Sequence, residues 1–404
     1  MSPSSHDPIL IAGAGPCGTV LALSLAQAGI PVRLLEQHPQ LPKDLRASTF
    51  HPASLEMLDA LGVAQQMLAI GLKADRYQYR DRQTGEVAEF DMNLIAEDTP
   101  FPFRLQLEQY ELTGIIVEKL RDYPHAEVLF SHTLLDASQT AEGVQARVQT
   151  PEGERTLSTP FLIGTDGASS KVRKAAGIGF GGFTYDEKFL VASTSFPFET
   201  VFENLSWVNY VADPEEWCVI LRTDKLWRVL VPVFPKTAED EAELLSDAFV
   251  QSRLQHLHQR DVPYEVGHRT LYKVHQRVSE TYVRGRMVLA GDACHINNPL
   301  GGMGMNGGLH DAVNLADKLK RILQDGADAE AALGLYDRQR RELAVRFVQE
   351  HTIQNKKLME STDPDIQRKR QAMLMQTAAD PVKARAFIRE RAMIDCLRES
   401  LAVS

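Results

Sequence analysis

Short apolar runs alternate with a helical pattern at the start of the chain. Residues 8–12 form an uninterrupted apolar run, which predicts a strand buried in a parallel sheet. Residues 19–28 have the pattern of a helix packed on a sheet, and Gly29 is expected to end it. Residues 32–35 predict a second buried strand with Glu36 at its end. This order of elements indicates a strand–helix–strand unit and an α/β fold.

The turn between the first strand and the helix has the spacing Gly13-x-Gly15-x-x-Gly18. The first glycine permits the tight turn, the second lets the backbone approach a pyrophosphate, and the third lets helix and strand pack closely. The helix N-terminus favours the phosphate charge. Glu36 follows Gly18 by 18 residues, where a carboxylate can accept hydrogen bonds from ribose hydroxyls. The unit therefore predicts a dinucleotide site without choosing between NAD and FAD; the alternative is a glycine-rich turn that binds nothing.

Two later segments repeat the combination of strand and turn. Residues 161–173 contain an apolar strand, an Asp166-Gly167 turn and the start of a helix, a combination that by itself is usually structural. Residues 286–295 contain a strand that ends in Gly291-Asp292. Five glycines follow between positions 301 and 308, before a helical pattern over residues 312–319. We expect a glycine-rich loop here, whose backbone N–H groups can face an anion or an electron-rich ring edge.

Together, the three motifs resemble those of class A flavoprotein monooxygenases with the para-hydroxybenzoate hydroxylase fold, in the same order along the chain. The resemblance covers residues 8–319. It implies an α/β fold in which a discontinuous Rossmann-like FAD-binding domain is joined by a β-sheet substrate domain and a C-terminal helical segment. The expected boundaries are 1–74, 99–182 and 275–320 for the FAD-binding domain, 75–98 and 183–274 for the substrate domain, and 321–404 for the helical region. Within the substrate domain we expect a hairpin around Thr84-Gly85 and a mostly antiparallel sheet over the flavin.

The resemblance also assigns residues to non-covalent FAD. Asp292 would hydrogen-bond the ribitol, and residues 299–306 would run along the isoalloxazine. Asp166 would support the cofactor, and family members also link its Asp-Gly motif to NAD(P)H. Arg46 and Gln109 match family positions near the FAD, although alone they would be a surface arginine and a helix-start glutamine. The expected cofactor-binding residues are Gly13, Gly15, Gly18, Glu36, Arg46, Gln109, Asp166, Asp292, Gly304, Met305 and Asn306.

The chemistry that the resemblance implies is NAD(P)H-dependent hydroxylation through a flavin C4a-hydroperoxide. That species needs shielding from water, and the aromatic ring needs activation, usually as a phenolate. The candidate catalytic residues are Tyr210, Arg222, Arg228 and Pro299. Strand alternation places Trp227 and Arg228 on opposite faces, so only one of them can point into the pocket. His295 is expected to be structural, and no metal site is expected.

Composition limits the partners. The net charge of the 404-residue chain is −10, which provides no broad basic field for nucleic acid or an anionic membrane. Four scattered cysteines favour a reducing cytoplasm over a disulfide framework or a zinc site. The apolar stretch 20–28 is too short to span a bilayer, and no basic residue precedes it as in a signal peptide. The tail 321–404 would either cap the pocket or form a subunit contact, which would make a homodimer.

Several activities share these motifs. Flavin halogenases typically carry a Trp-x-Trp-x-Ile-Pro element, which the run 226–232 lacks. Ubiquinone-pathway hydroxylases act on membrane-embedded substrates, and Baeyer–Villiger or epoxidising relatives would keep every motif. A non-catalytic FAD-binding protein is the alternative outside the enzymes. Our interpretation is a single-component FAD monooxygenase that uses O₂ and NADPH or NADH to hydroxylate a small phenolic or N-heteroaromatic substrate.

Overall fold

The computed structural model describes residues 7–43, 45, 47–361 and 363–404. Twenty strands and thirteen α-helices lie in this described part of the chain. The strands are β1 Ile9–Ala12, β2 Val32–Glu36, β3 Thr49–Phe50, β4 Leu72–Ala74, β5 Arg76–Asp81, β6 Val87–Asp91, β7 Arg104–Gln106, β8 Ala126–Phe130, β9 Thr133–Gln139, β10 Val144–Thr150, β11 Gly153–Thr159, β12 Leu162–Gly164, β13 Phe180–Thr194, β14 Val208–Ala212, β15 Cys218–Arg222, β16 Trp227–Val233, β17 Val266–Ser279, β18 Val283–Arg284, β19 Met287–Leu289 and β20 His295–Ile296. The helices are α1 Pro16–Gln27, α2 Pro52–Ala60, α3 Ala64–Ile70, α4 Gln109–Leu120, α5 Lys171–Ala175, α6 Ala238–Leu244, α7 Asp247–Leu257, α8 Met303–Leu323, α9 Ala329–Leu343, α10 Glu350–Glu360, α11 Pro364–Ala379, α12 Pro381–Arg391 and α13 Ile394–Ala402.

A six-stranded sheet carries the predicted nucleotide-binding unit. Its strand order is β18-β19-β12-β1-β2-β8, and all pairs except β18–β19 are parallel. All four residues of β1 are buried, as expected for a parallel strand covered on both faces. The predicted strand–helix–strand unit is confirmed, with α1 beginning three residues earlier than expected because Pro16 is well suited to the first helical position.

A second, eight-stranded sheet faces the nucleotide-binding unit. Its order is β20-β17-β13-β16-β15-β14-β5-β6, and only the β14–β5 pair is parallel. The expected β5–β6 hairpin is present, and the mostly antiparallel sheet predicted from the sequence is confirmed. Helices α6 and α7 follow β16 and were not predicted from the sequence. On one face, Val191, Val208, Val219 and Leu230 pack together with buried tyrosines.

Two three-stranded sheets complete the core. One has the order β11-β10-β9, and the other has the order β3-β7-β4. In the second sheet, β7 is antiparallel to both neighbours, and Ala74 of β4 is the register partner of Arg104. Since β4 leads directly into β5, this small sheet brings Arg104 beside the eight-stranded sheet.

The C-terminal region is helical, as expected. Pro364 and Pro381 each occupy the first turn of a helix, and the side chains of Asp363 and Asp380 cap those helices. Arg385 of α12 donates to Asp98 at 3.0 Å, which ties this region to the 3₁₀ helix and turn after β6. None of the helices in the described ranges is both long and apolar enough to cross a bilayer.

The expected glycine-rich loop is shorter than predicted, because helix α8 begins within it. The helix begins at Met303 rather than at 312, so Gly304, Met305 and Asn306 form its first turn. A Cβ added to Gly308 would lie 3.2 Å from the Cα of Gly291, which is tighter than ordinary contact. Gly308 therefore lets the helix approach the Gly-Asp turn, whereas Gly301 and Gly302 have φ of +95° and +67° and form the loop that precedes the helix.

Candidate active site

The turn between β1 and α1 is sterically restricted to glycine at two of its three motif positions. Gly13 has φ of +104°, and a Cβ there would lie 2.6 Å from the carbonyl oxygen of Thr165. A Cβ on Gly18 would lie 2.0 Å from the carbonyl oxygen of Gly13. Gly15 differs, because the space where its Cβ would point is open among the described atoms and belongs to a large cavity. The α1 N-terminus beside it has neither a side-chain cap nor an acidic residue in its first turn, which suits an anionic phosphate.

Glu36 supports this turn from the end of β2. One carboxylate oxygen accepts a hydrogen bond from the Ala14 backbone N–H at 3.2 Å, and the other accepts from the His38 N–H at 2.9 Å. The residue is buried and does not line the cavity. Its contacts in the structure are thus with the protein backbone, and its proposed contact with a ribose remains a prediction.

The cavity joins the α1 N-terminus to the face of the eight-stranded sheet. Its volume is about 690 Å³, within the range of roughly 300–1,000 Å³ that is usual for ligand and cofactor sites. The Gly291–Asp292 turn and the first turn of α8 form one wall, and β14, β15 and β16 form another. One continuous cavity is therefore lined on one side by glycine backbone, helix N–H groups and the Asp292 carboxylate, and on the other by an apolar sheet face.

Eight of the residues predicted for cofactor or catalysis line this cavity. They are Gly15, Gln109, Tyr210, Arg228, Asp292, Pro299, Gly304 and Met305. Six others lie in the described structure without lining it, namely Gly13, Gly18, Glu36, Asp166, Arg222 and Asn306. Arg46 lies outside the described residues.

Asp166 caps helix α5. One carboxylate oxygen accepts from the Lys171 N–H at 2.6 Å and from the Val172 N–H at 3.3 Å, while the other oxygen is buried without a hydrogen-bond partner. Burial raises the pKa of this carboxyl, and the helix N–H groups and Ser170 partly offset the rise. The cavity wall here is formed by its neighbours Thr165 and Gly167.

Asn306 organises the first turn of α8 from inside the protein. Its amide oxygen accepts from the His51 N–H at 2.9 Å, and its amide nitrogen donates to the carbonyl oxygens of Thr49 and Gly302. These bonds occupy the side chain, so any contact of Asn306 with a flavin would use the backbone.

Arg228 and Trp227 point to opposite faces of β16, as the alternation predicts. Trp227 packs in the far hydrophobic cluster, whereas Arg228 lines the cavity. The guanidinium of Arg228 forms a buried ion pair with Glu108 and donates to the hydroxyl of Ser48 at 3.2 Å. Burial raises the pKa of Glu108 and Arg228 opposes that rise. The positive charge of Arg228 is therefore already balanced by the protein.

Arg104 lines the cavity and was not predicted from the sequence. It is 3% exposed, and its guanidinium centre lies 4.1 Å from the ring centroid of Tyr77. Tyr210 lies on β14, which pairs with β5, the strand of Tyr77 and Tyr79. Tyr210 also lines the cavity, and its ring stacks on that of Tyr79 at 4.9 Å between ring centroids. Burial raises the pKa of Tyr210 while Arg104 opposes the rise, so the hydroxyl remains protonated at neutral pH and can donate a hydrogen bond.

A buried network holds the Gly291–Asp292 turn from behind. Asp311 of α8 accepts hydrogen bonds from the Gly291 N–H at 3.0 Å and from the His295 ring at 2.8 Å, and it pairs with Arg340 of α9. His295 thus has a structural position, as expected. The Cys294 thiol, His295 and Asp311 have ligand atoms within 4.8 Å of one another, but Arg340 already neutralises the carboxylate. The sequence offered no signal for this network, because Asp311 and Arg340 are separated by a loop and sit in ordinary helical patterns.

Comparisons with known proteins identify the family of this chain. The FAD binding domain family matches residues 7–351. Para-nitrophenol 4-monooxygenase of Pseudomonas sp. (strain WBC-3) is 33% identical over 391 residues, which cover 95% of this chain and 94% of the relative. The chain belongs to the FAD-dependent aromatic monooxygenases.

Other members of this monooxygenase family support the assignment. The 6-hydroxy-3-succinoylpyridine 3-monooxygenase of Pseudomonas putida is 30% identical over 348 residues, with 85% of this chain and 87% of the relative covered. The crystal structure of p-nitrophenol 4-monooxygenase from Pseudomonas putida superposes with a TM-score of 0.90 at 29% identity, covering 97% of this chain and 98% of that chain. The family, the fold and the FAD cofactor expected from the three sequence motifs are therefore confirmed.

The residues present fit FAD. The glycine turn leaves open space for a pyrophosphate at the α1 N-terminus, and Asp292 is exposed to the same cavity. The first turn of α8 supplies backbone N–H groups further along the wall. In this monooxygenase, Gly15, Asp292, Gly304 and Met305 line the cavity and could hold the cofactor.

Proposed function

We propose that this monooxygenase hydroxylates a small phenol or hydroxypyridine, using FAD, O₂ and NAD(P)H. The observation that carries the proposal is the single cavity that joins the nucleotide-binding turn at Gly15 to the apolar sheet face at Tyr210. The relatives named for p-nitrophenol and 6-hydroxy-3-succinoylpyridine support a hydroxylated six-membered aromatic ring as the substrate. The proposal extends to a cytoplasmic enzyme supplied from the cellular NAD(P)H pool.

FAD supplies the difficult redox chemistry when bound, namely hydride acceptance from NAD(P)H and activation of O₂. The protein has to position the ring and exclude water. Val191, Val208, Val219 and Leu230 line the cavity and would provide an apolar wall for the ring, and the neutral hydroxyl of Tyr210 would lie beside it. These contacts orient a substrate without any nucleophilic side chain.

We assign different tasks to the predicted catalytic residues. Tyr210 is proposed to hydrogen-bond the substrate, and Pro299 is proposed to shape the wall that leads to α8. Arg228, neutralised by Glu108, is proposed to position the wall and not to bind an anion. Arg222 lies at the end of β15, outside the cavity, so its contribution to catalysis would have to be indirect.

NAD(P)H oxidation by the purified FAD-loaded protein tests the proposal. A panel of nitrophenols, hydroxybenzoates and hydroxypyridines is added in turn, and each stimulated reaction is examined by mass spectrometry for one added oxygen. We expect stimulation with an oxygenated product for at least one ring. Stimulation that yields only H₂O₂ for every ring, or no stimulation at all, would contradict the hydroxylase function and favour a flavin-binding protein without oxygenase activity.

A further inference from the structure

Arg104 is a buried cation in the cavity wall, and no carboxylate in the part of the chain that the structure describes forms an ion pair with it. Its Nε is buried and has no hydrogen-bond partner, and no ion pair joins it to any residue in the described ranges. Arg228, the other arginine in the cavity wall that was discussed above, differs because the Glu108 carboxylate neutralises its charge. A buried guanidinium without a carboxylate partner is costly, so a cavity that keeps one is suited to an anionic ligand.

Groups around Arg104 show that its charge is felt in the cavity wall. The pKa of His51 falls to about 3, first through burial and then through the charge of Arg104. The same charge opposes the burial-driven rise in the pKa of Tyr210 and of Tyr77. The Tyr77 ring lies against the guanidinium plane, and this contact fixes the cation in place without neutralising it.

We propose that Arg104 is the substrate-binding residue that selects the ionised phenol, by holding the phenolate oxygen together with the hydroxyl of Tyr210. This inference rests on the proposed hydroxylase function and names the form of the substrate that the site takes. Val208 and Val219 line the cavity and would pack against the ring, whereas Arg104 and Tyr210 line the same cavity and would supply charge and a hydrogen bond. A guanidinium binds an oxyanion through charge-assisted hydrogen bonds, which are stronger than those between neutral groups.

Binding as the phenolate has a chemical consequence. The oxygen lone pairs of a phenolate enrich the ring carbons ortho and para to it, so the ring is activated before oxygen transfer begins. The phenolic proton leaves to solvent before or during binding, and no covalent step occurs at Arg104. Arg104 therefore recognises and positions the activated ring.

The test compares two ligands of nearly the same shape, 4-nitrophenol and nitrobenzene, in the FAD-loaded protein without NAD(P)H. The visible absorbance of bound 4-nitrophenolate reports its ionisation, and the change in flavin absorbance reports the affinity of both ligands. In the wild type we expect the bound phenol to ionise at a lower pH than the free phenol. Arg104→Gln should weaken 4-nitrophenolate by about 10- to 100-fold and nitrobenzene by less than about 2-fold.

Two further variants make the result specific. Arg104→Lys keeps the charge without the planar fork, so its affinity for 4-nitrophenolate should lie between the wild type and Arg104→Gln. Arg147→Gln removes an arginine that is half exposed on β10 and should change neither ligand. If Arg104→Gln does not fold, the ionisation of the bound phenol in the wild type and in Arg104→Lys still decides the matter.

Several results would overturn the inference. These are an unchanged affinity for 4-nitrophenolate in Arg104→Gln, an equal loss for both ligands, or a wild type that binds 4-nitrophenol only in its neutral form. A wild type that oxygenates another phenol but does not bind 4-nitrophenolate would also overturn it, while leaving the hydroxylase function intact. Failure of the entire aromatic panel would instead remove the proposed function itself.

Discussion

Arg340 donates its Nε–H to a carboxylate oxygen of Asp311 at 2.6 Å, and both side chains are buried. The other oxygen of Asp311 accepts from the Gly291 N–H and from the His295 ring. Burial alone would raise the pKa of Asp311, but the charge of Arg340 and the bonds from Arg340 and His295 hold it well below its usual range. A single carboxylate therefore fixes the turn that presents Asp292 to the cavity.

Replacing this carboxylate should destabilise the protein. Asp311→Asn leaves Arg340 buried without a counter-charge, and we expect a loss of about 3–5 kcal/mol in the free energy of unfolding. Denaturant unfolding of the FAD-loaded protein measures the loss. Arg147→Gln breaks a half-exposed pair with Glu154 and should cost no more than about 1 kcal/mol. Equal losses in the two variants would show that the Asp311–Arg340 pair does not stabilise the fold.

Gly18→Ala should damage the nucleotide-binding turn. Its Cβ would overlap the Gly13 carbonyl, so the turn or the helix has to move. We expect a lower melting temperature and a loss of most of the FAD after purification. Gly114→Ala in α4 is the matched control, because its Cβ meets no described atom within 4 Å and alanine favours a helix by about 0.5–1 kcal/mol. FAD retention in Gly18→Ala equal to that in Gly114→Ala would contradict the account of the turn.

Asp292→Ala should weaken FAD binding while leaving the fold intact, since Asp292 is exposed to the cavity. Loss of one hydrogen bond to a charged group corresponds to about 10- to 100-fold in affinity. Titration of the apoprotein with FAD, followed by the flavin fluorescence, gives the dissociation constants. Asp325→Ala, in the exposed segment after α8, removes the same charge at a distance and should bind FAD normally. Wild-type affinity in Asp292→Ala would remove this residue from the cofactor site.

Two buried histidines should make stability depend on pH between 7 and 5. Burial lowers the pKa of His310 to about 3, and Arg340 adds to the effect; His51 is lowered to about 3 as well. The unfolded chain takes up a proton below an ordinary pKa of about 6.5, whereas the folded protein does not. Stability is therefore complete above that value and falls as the pH drops, by about 2 kcal/mol for each histidine at pH 5.

Chemical unfolding at pH 7 and pH 5 measures this dependence. His310→Gln should lose less stability between the two pH values than the wild type, by about 2 kcal/mol. His256→Gln, at an exposed position of α7, should lose as much as the wild type. A change in His310→Gln that matches the wild type would mean that His310 is protonated in the folded state. Asp311 contributes to the pH dependence of stability only at lower pH. Its pKa is depressed in the folded protein, so its stabilisation is lost as the pH falls below about 4.

The cofactor end of the site could be predicted because glycine spacing encodes steric limits directly. Gly13 and Gly18 occupy positions where a Cβ would collide with backbone, so the glycine spacing directly indicates a close approach of the backbone at these two positions. The same reasoning placed a loop where α8 begins. Glycine-rich sequence is compatible both with a loop and with a helix that packs closely, and only the approach of Gly308 to Gly291 decides between them.

The substrate end could not be read in the same way. Alternation along β16 separated Arg228 from Trp227 correctly, but it could not show that Glu108, 120 positions earlier, neutralises the arginine. Arg104 sits in a three-residue strand, too short for a periodic pattern, and its setting depends on β4, β5 and β14. Charge balance in a buried pocket is set by long-range contacts, and a local pattern does not contain it.

The most direct test of the central claim is the fate of dioxygen in a turnover with the phenol that best stimulates NAD(P)H oxidation. The reaction is run under ¹⁸O₂ in ordinary water, and the product is analysed by mass spectrometry. We expect one heavy oxygen atom in each hydroxylated product and none when the label is supplied in the water instead. Label that enters from water, or a product without added oxygen, would contradict the assignment of this cavity to an aromatic monooxygenase.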